Sequence, residues 1–524
     1  MKKLFYNGTI YTMDENQPTA KAVAIENDKI VEVYQEIPTD WDGEKVDLNQ
    51  NVMFPGFIDG HSHFVGCANA LSQCDLSQAY SFDEIVEAIK TFIQDNNIQA
   101  GQWVVANNYD HNFLKEKAHP DRNVLDRIST DIPIMLVHVS NHMGVVNTAG
   151  LKMQNINDDV VDPQGGKYGR FEDHSLSGYM EENAFINFQK SISSFDLDVL
   201  MANVAKAQEL YAKYGITTIQ DGMVTKELYP LYQLLAHQGA LKMDVVGYID
   251  LENSRDLYIN HPENHEYHGH FRLGGYKIFL DGSPQGRTAW MKEPYTNSND
   301  CAYPVHSDEH LYQLIHQALA DHAQLLAHCN GDAAAKQYVD TFEKVRHDDG
   351  VDQTYRPVMI HAQFVANDEL KRMKSIEMMP SFFVAHTYYW GDIHIENLGY
   401  ERASRMSAVK DAINAGLRYT FHQDTPVLMP DMMKTVACAV KRVTKNGVEL
   451  SQEQSVSVKE ALAAITINAA YQYHEEDRKG SIEKGKQANF TILEKDPFKV
   501  DVDELENIQV AQTIVDGSVI YSKH

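Results

Sequence analysis

Between residues 52 and 421 the chain carries eight short apolar segments, at 52–57, 217–220, 243–248, 273–279, 324–327, 358–360, 379–384 and 419–421. Stretches of helical periodicity lie between most of them, and apolar strands that alternate with helices predict a parallel sheet with helical crossovers. Eight is the number of strands that closes a (β/α)8 barrel, in which the reacting groups come from the C-terminal ends of the strands. Polar residues at those ends are therefore the candidates for chemistry. About 150 residues separate the first segment from the second, too many for a βα loop. An inserted subdomain is expected at about residues 66–212, with strands near 103–106 and 134–138 and a helix opened by the capping box Ser81-x-x-Glu84.

The two ends of the chain read differently. Residues 4–6 and 10–13 flank Asn7-Gly8, residues 22–25 and 30–34 flank Asn27-Asp28, and near the other end residues 510–515 and 519–521 flank Asp516-Gly517. Each is expected to be a hairpin. Neither end supplies a full core, and unpaired edges are a liability. Residues 1–54 and 470–524 are thus expected to pair into one composite β-sandwich domain, with the distorted (β/α)8 TIM barrel occupying 55–469. A second capping box, Ser457-x-x-Glu460, opens the helix that leads back to the β-domain.

Charge narrows the partners. Lys plus Arg number 46 against 74 Asp plus Glu, a net charge of −28, and so acidic a surface repels phosphate backbones and anionic lipid. Neither nucleic acid nor a membrane is an expected partner. The five cysteines are scattered with no C-x-x-C pair, and the first residues meet polar side chains too soon for a signal peptide. A cytoplasmic protein is expected, with a homodimer the default assembly.

The sharpest chemical signal is Asp59-Gly60-His61-Ser62-His63, directly after an apolar strand. In extended backbone, residues i and i+2 face the same side, so His61 and His63 can present two imidazoles to one point. Alone, the spacing fits two hydrogen-bonded loop histidines equally well. Histidines recur, however, where residues 324–327 run into His328 and residues 358–360 into His361. Imidazoles at three strand ends, with a carboxylate, suit zinc. Lys277 lies inside the apolar segment 273–279, where an ammonium needs a partner or must be neutralised. Pairing with Asp281 is one resolution; reaction with carbon dioxide to a metal-bridging carbamate is the other. Asp424 follows the eighth segment, where a carboxylate can take a proton from attacking water or cap a helix. Three softer candidates are His386, to polarise a carbonyl, Arg287, to hold an anion, and His142, to reach the substrate. Tyr109-Asp110-His111 is weaker still.

Taken in order, these motifs resemble the amidohydrolase superfamily, in the branch that includes N-substituted formamide deformylases. The likeness runs from residues 55–63 through Asp281-Gly282-Ser283-Pro284-Gln285-Gly286-Arg287-Thr288, Tyr388-Tyr389-Trp390-Gly391-Asp392 and 398–403 to 479–490. It implies a β-sandwich joined to a distorted barrel, and a centre of one or two divalent ions, usually zinc. By the same resemblance His61 and His63 hold one ion, His328 and His361 the other, carboxylated Lys277 bridges them, and Asp424 is both ligand and acid/base. The expected activity is hydrolysis of a carbon–nitrogen bond in a small-molecule amide, an N-acyl or N-formyl amine. Gln423 stands where the family commonly has Ser, and Pro284-Gln285 where Leu-Gly is common, so the departures fall on the substrate side. A cyclic-amidine deaminase, which needs no carbamate, and a non-catalytic regulator on the same barrel are the alternatives.

Overall fold

The computed structural model describes residues 1–111, 113–139, 143–192 and 197–523. The chain divides into two compact units, residues 1–67 with 207–524, and residues 68–206.

The first unit holds a parallel sheet of eight strands, paired in sequence order: β1 (Phe57–Ile58), β2 (Ile216–Val224), β3 (Asp244–Asp250), β4 (Phe271–Phe279), β5 (Gln324–Cys329), β6 (Val358–His361), β7 (Met379–Phe382) and β8 (Thr420–Phe421). Crossover helices include α1 (Leu251–Asn260) after β3, α2 (Asp308–Ala320) after β4, α3 (Asp332–Asp349) after β5 and α4 (Asn367–Met373) after β6. The arrangement fits a distorted (β/α)8 barrel.

One expected strand divides. The single barrel strand expected at residues 52–57 is broken at Gly56: Val52–Pro55 joins the terminal sheet, and only Phe57–Ile58 pairs with β2. The backbone passes so close to β2 that a Cβ on Gly56 would lie 2.3 Å from Thr217 Oγ1.

No ladder between β1 and β8 is found among the described residues, yet the two strands meet. A Cβ on Gly60 would lie 2.9 Å from the Phe421 carbonyl oxygen. The seam is clasped by the helix Ile467–Gln472, where Gln472 Nε2 donates to Gly60 O at 2.7 Å and Gln472 Oε1 accepts from Thr420 Oγ1 at 2.6 Å. The next residue, Tyr473, donates its hydroxyl to Asp59 O at 2.5 Å. Ala469, Ala470 and Tyr473 pack with Ile58, Val246, Leu326, Val358, Ile360 and Met379 as the barrel's filling. The carbonyls of Tyr471, Gln472 and Tyr473 accept from Arg356, Gln324 and Arg272, which lie at the N-terminal starts of β6, β5 and β4.

Strands from both ends of the chain share a second eight-stranded sheet, in which Phe490–Leu493 pairs with Val52–Pro55, and Val52–Pro55 with Lys2–Tyr11. Its core is Phe5, Ile10, Val23, Ile25, Met53, Phe490, Ile492 and Ile514. The expected turn at Asn7-Gly8 is instead a bulge within the single strand Lys2–Tyr11: the register shifts between Tyr6 and Ile10, and Asn7 takes φ 60°. Backbone groups there pair with residues 48–51, with Gln50 N donating to Asn7 O at 2.9 Å. The strand therefore has no cause to fold back. The turns at Asn27-Asp28 and Asp516-Gly517 do join antiparallel strands.

The second unit carries a six-stranded mixed sheet that includes Val104–Tyr109 and Ile134–His138. Ser81 caps its helix Phe82–Asp95, accepting from Glu84 N at 3.2 Å. Glu84 returns its hydrogen bond to Tyr80 N, one residue before the cap. At Ser457 both halves of the capping box form. Among the described residues no helix is long and apolar enough to cross a membrane.

Candidate metal centre

At the C-terminal ends of β1, β4, β5, β6 and β8 the side chains of His61, His63, Lys277, His328, His361, His422 and Asp424 gather. Ring centroids of His61 lie 5.0 Å from His63, 5.8 Å from His361 and 5.4 Å from His422, and those of His328 and His361 are 4.5 Å apart. One ligand atom each from His61, His361 and Asp424 lies within 4.8 Å of the others.

The tautomer of His61 follows from its neighbour. Gln220 Nε2 donates to Gly60 O at 3.0 Å, so Gln220 Oε1 is the atom that faces His61 Nδ1, at 2.5 Å, and His61 Nδ1 carries the proton. His61 Nε2 then presents a lone pair to Asp424 Oδ1 at 3.3 Å and to Lys277 Nζ at 3.3 Å. His63 Nε2 lies 3.2 Å from the same Oδ1. That oxygen is buried and makes no hydrogen bond. A carboxylate oxygen facing an imidazole lone pair without a bridging proton is unfavourable, and a cation between them removes the conflict.

Burial makes the imidazoles suitable ligands. His61 and His361 are held well below the ordinary histidine range by desolvation, as are His328, at about 4, and His422, at about 3. They are neutral, the form a metal takes. Desolvation works against ionisation of Asp424 too, but the close approach of His63 and the surrounding imidazoles overcome it and hold its carboxyl well below the carboxylate range. Desolvation lowers Lys277 to about 7. The donor set and the orphaned oxygen fit a divalent ion.

The Lys277–Asp281 pair does not form. Asp281 accepts instead from the backbone N–H groups of Trp290, Asn330 and Gly331 at 3.1, 2.9 and 2.7 Å, shaping the loop after β4. His328 approaches His361 edge to face, while its Nε2 meets Asn330 Nδ2 at 3.0 Å.

His386 opens the short helix His386–Tyr389 rather than ending a strand, and its Nδ1 accepts from Gln363 Nε2 at 2.8 Å. The Phe383 ring packs against His386, His361 and His422. Arg287 is exposed and donates through Nε to Asn397 Oδ1 at 2.8 Å. His142 lies outside the described residues. Asp110 and His111 belong to the second unit, where His111 Nδ1 is 3.1 Å from His138 Nε2.

Sequence reasoning passed over two members. His422 Nε2 meets His361 Nδ1 at 3.1 Å, and its Nδ1 meets Ser381 Oγ at 2.9 Å. The signal was present, since His422 and Asp424 repeat the i, i+2 spacing of His61 and His63. Gln220 ends the segment expected at 217–220 and so stood at a strand end too, although the strand in fact runs on from Ile216 to Val224.

A family model described as amidohydrolase family matches residues 44–521. YtcJ of Bacillus subtilis strain 168, described as an amidohydrolase, is 26% identical, covering 100% of this chain and 100% of its own. The N-substituted formamide deformylase of Arthrobacter pascens is 27% identical over 99% of this chain and 98% of its own. Among solved structures, an uncharacterized metal-dependent hydrolase from Pyrococcus horikoshii OT3 superposes with a TM-score of 0.79 at 24% identity, covering 96% of this chain and 99% of its own.

Proposed function

The chain belongs to the amidohydrolase family, and on that premise we propose that it hydrolyses the carbon–nitrogen bond of a non-peptide amide, an N-acyl or N-formyl amine. The observation that carries the reading is Asp424 Oδ1, buried, without a hydrogen bond, and 3.2 and 3.3 Å from two imidazole nitrogens.

His61, His63, His328, His361 and Asp424 would hold one or two divalent ions, with zinc the choice that suits imidazole and carboxylate. Such an ion lowers the pKa of water and polarises a carbonyl. The protein's own groups do the rest. Gln220 fixes His61 with its lone pair inward. Lys277, as a neutral amine, can add carbon dioxide: its Nζ lone pair forms the N–C bond, one amine proton leaves to solvent, and the product is an anionic carbamate. Asp424 takes the proton from the attacking water and delivers it to the leaving nitrogen, which must depart as an amine. His386 and Arg287 are proposed to contact the substrate. Lys277 favours amide hydrolysis over deamination of a cyclic amidine, since the latter needs no carbamate.

The test is turnover on a panel of N-formyl and N-acyl amines, comparing the native protein with Asp424→Asn, which is close to isosteric. Loss of the proton carrier should lower kcat by about 100- to 10,000-fold with KM little changed. Near-native kcat in the variant would show that Asp424 does not move the proton. Absence of turnover by the native protein, with metal bound, would favour a regulator.

A further inference from the structure

Outside the barrel centre, a second group of donors converges beside the first turns of α1 and α2. Glu252 lies in the first turn of α1, where Asp250 Oδ1 accepts from Glu252 N at 3.1 Å and from Asn253 N at 3.3 Å. His306 and His310 flank Ser307, the cap of α2, whose hydroxyl accepts from His310 N at 3.2 Å. Gln337 of α3 donates to His306 O and to Asp308 Oδ1, both at 2.9 Å. All three backbones are thus positioned independently of any ligand.

The side chains face one another. The imidazole centroids are 5.0 Å apart, Glu252 Oε1 is 3.2 Å from His310 Nε2, and Glu252 Oε2 is 3.6 Å from His306 Nε2. The ligand atoms of the three residues lie within 4.8 Å of one another. His306 is 7% exposed, and its Nε2 is buried with no hydrogen-bond partner. A buried nitrogen turned toward a carboxylate without bonding it is unexplained by a simple Glu252–His310 pair. Burial also lowers the His306 pKa, which keeps the ring neutral. Zinc–nitrogen bonds of 2.0–2.1 Å in a tetrahedron set neighbouring donors about 3.3 Å apart, and the two measured separations bracket that value.

We propose that Glu252, His306 and His310 form a second site for a divalent transition-metal ion, zinc by its donor set, separate from the barrel centre. Two imidazoles and a carboxylate leave the fourth position for solvent. The ion ties the segment after β3 to the segment after β4, beyond the last backbone pairing of the two strands at Asp250 and Lys277.

The probe is zinc itself. Native protein, His310→Ala and Glu252→Gln are dialysed to equilibrium at free zinc buffered to about 1 μM, where a site of nanomolar Kd is filled and a lone surface imidazole is not. Elemental analysis should find one zinc per chain more in the native protein than in either variant. His310 is 45% exposed, so its replacement leaves the core alone; His310→Gln serves as a second variant if His310→Ala is poorly folded. Zinc should also raise the unfolding temperature of Asp424→Asn, and the rise should shrink when His310→Ala is added to that background. Equal zinc content in native protein and both variants would overturn the proposal, as would a thermal response to zinc that His310→Ala leaves unchanged.

Discussion

Replacing Gln472 by Ala should open the barrel at its seam. Its side chain is fully buried and bonds Gly60 of the first strand's end and Thr420 of the last strand at 2.7 and 2.6 Å. Truncation leaves the Thr420 hydroxyl without its acceptor, which costs about 1–3 kcal/mol, while the Gly60 carbonyl keeps Gln220 Nε2 and loses one hydrogen bond worth about 0.5–1.5 kcal/mol. The sum is ~1.5–4.5 kcal/mol, nearer the lower figure where water enters the gap. The unit that contains the seam has about 380 residues, and at about 2.1 cal/mol/K each its unfolding entropy is ~0.8 kcal/mol/K. The expected fall in unfolding temperature is roughly 2–6 °C, measured by scanning calorimetry of the metal-free protein. Gln472→Glu should be at least as harmful, because it keeps an acceptor for Thr420 but turns a carboxylate oxygen toward the Gly60 carbonyl. His61 and His63 follow Gly60 directly, so zinc affinity should fall with the seam. A change below 1 °C in Gln472→Ala, with zinc affinity intact, would refute the claim that this side chain holds the first strand to the last.

Three further outcomes are expected. His422→Ala removes the partner of His361 Nδ1, so zinc affinity by chelator competition should drop about 10- to 100-fold; an unchanged affinity would show that His422 does not orient His361. Lys277→Ala should lose metal and activity, with partial return on adding short carboxylic acids; loss that no carboxylate relieves would argue against a carbamate. In the metal-free protein, His328 and His422 have native pKa values of about 4 and about 3 against an ordinary 6.5. The unfolded chain therefore binds protons that the native state refuses. The stability they contribute is complete above pH 6.5 and is lost as the pH falls from there toward 4, by up to about 1.4 kcal/mol per pH unit for each group. Denaturation midpoints that stay level between pH 7 and 5 would contradict this.

Most strand positions were legible because a barrel buries its strands on both faces, leaving apolar runs bracketed by polar turns. The misreadings share a cause. At Asn7-Gly8 and at Gly56 the local signals were sound, but residues 48–51 and Thr217, distant in sequence, decided whether the chain turned, bulged or changed sheets. The site follows the same division. His61, His63, His328, His361 and Asp424 announced themselves by standing where an apolar segment stops. His422 stood in the same place but read as a spacer before Asp424. Gln220 also closes an expected segment, but a glutamine is no metal ligand or acid/base, and its meaning comes from a histidine 159 residues away. His306 and Glu252 likewise become partners only through the crossing of two βα units.

The shared terminal sheet sets a timetable for synthesis. The Phe57 amide finds the Thr491 hydroxyl 434 residues further along the chain, and Val52–Pro55 must wait as long for Phe490–Leu493. At roughly 5–20 residues per second that interval is about 20–90 s, during which an apolar strand edge is uncovered on the ribosome. Crowded translation, or a slow codon run in the second half, would lengthen the exposure of exactly that edge. Yield in a heterologous host should thus depend on elongation speed and on holdase chaperones more than the stability of the finished protein would suggest.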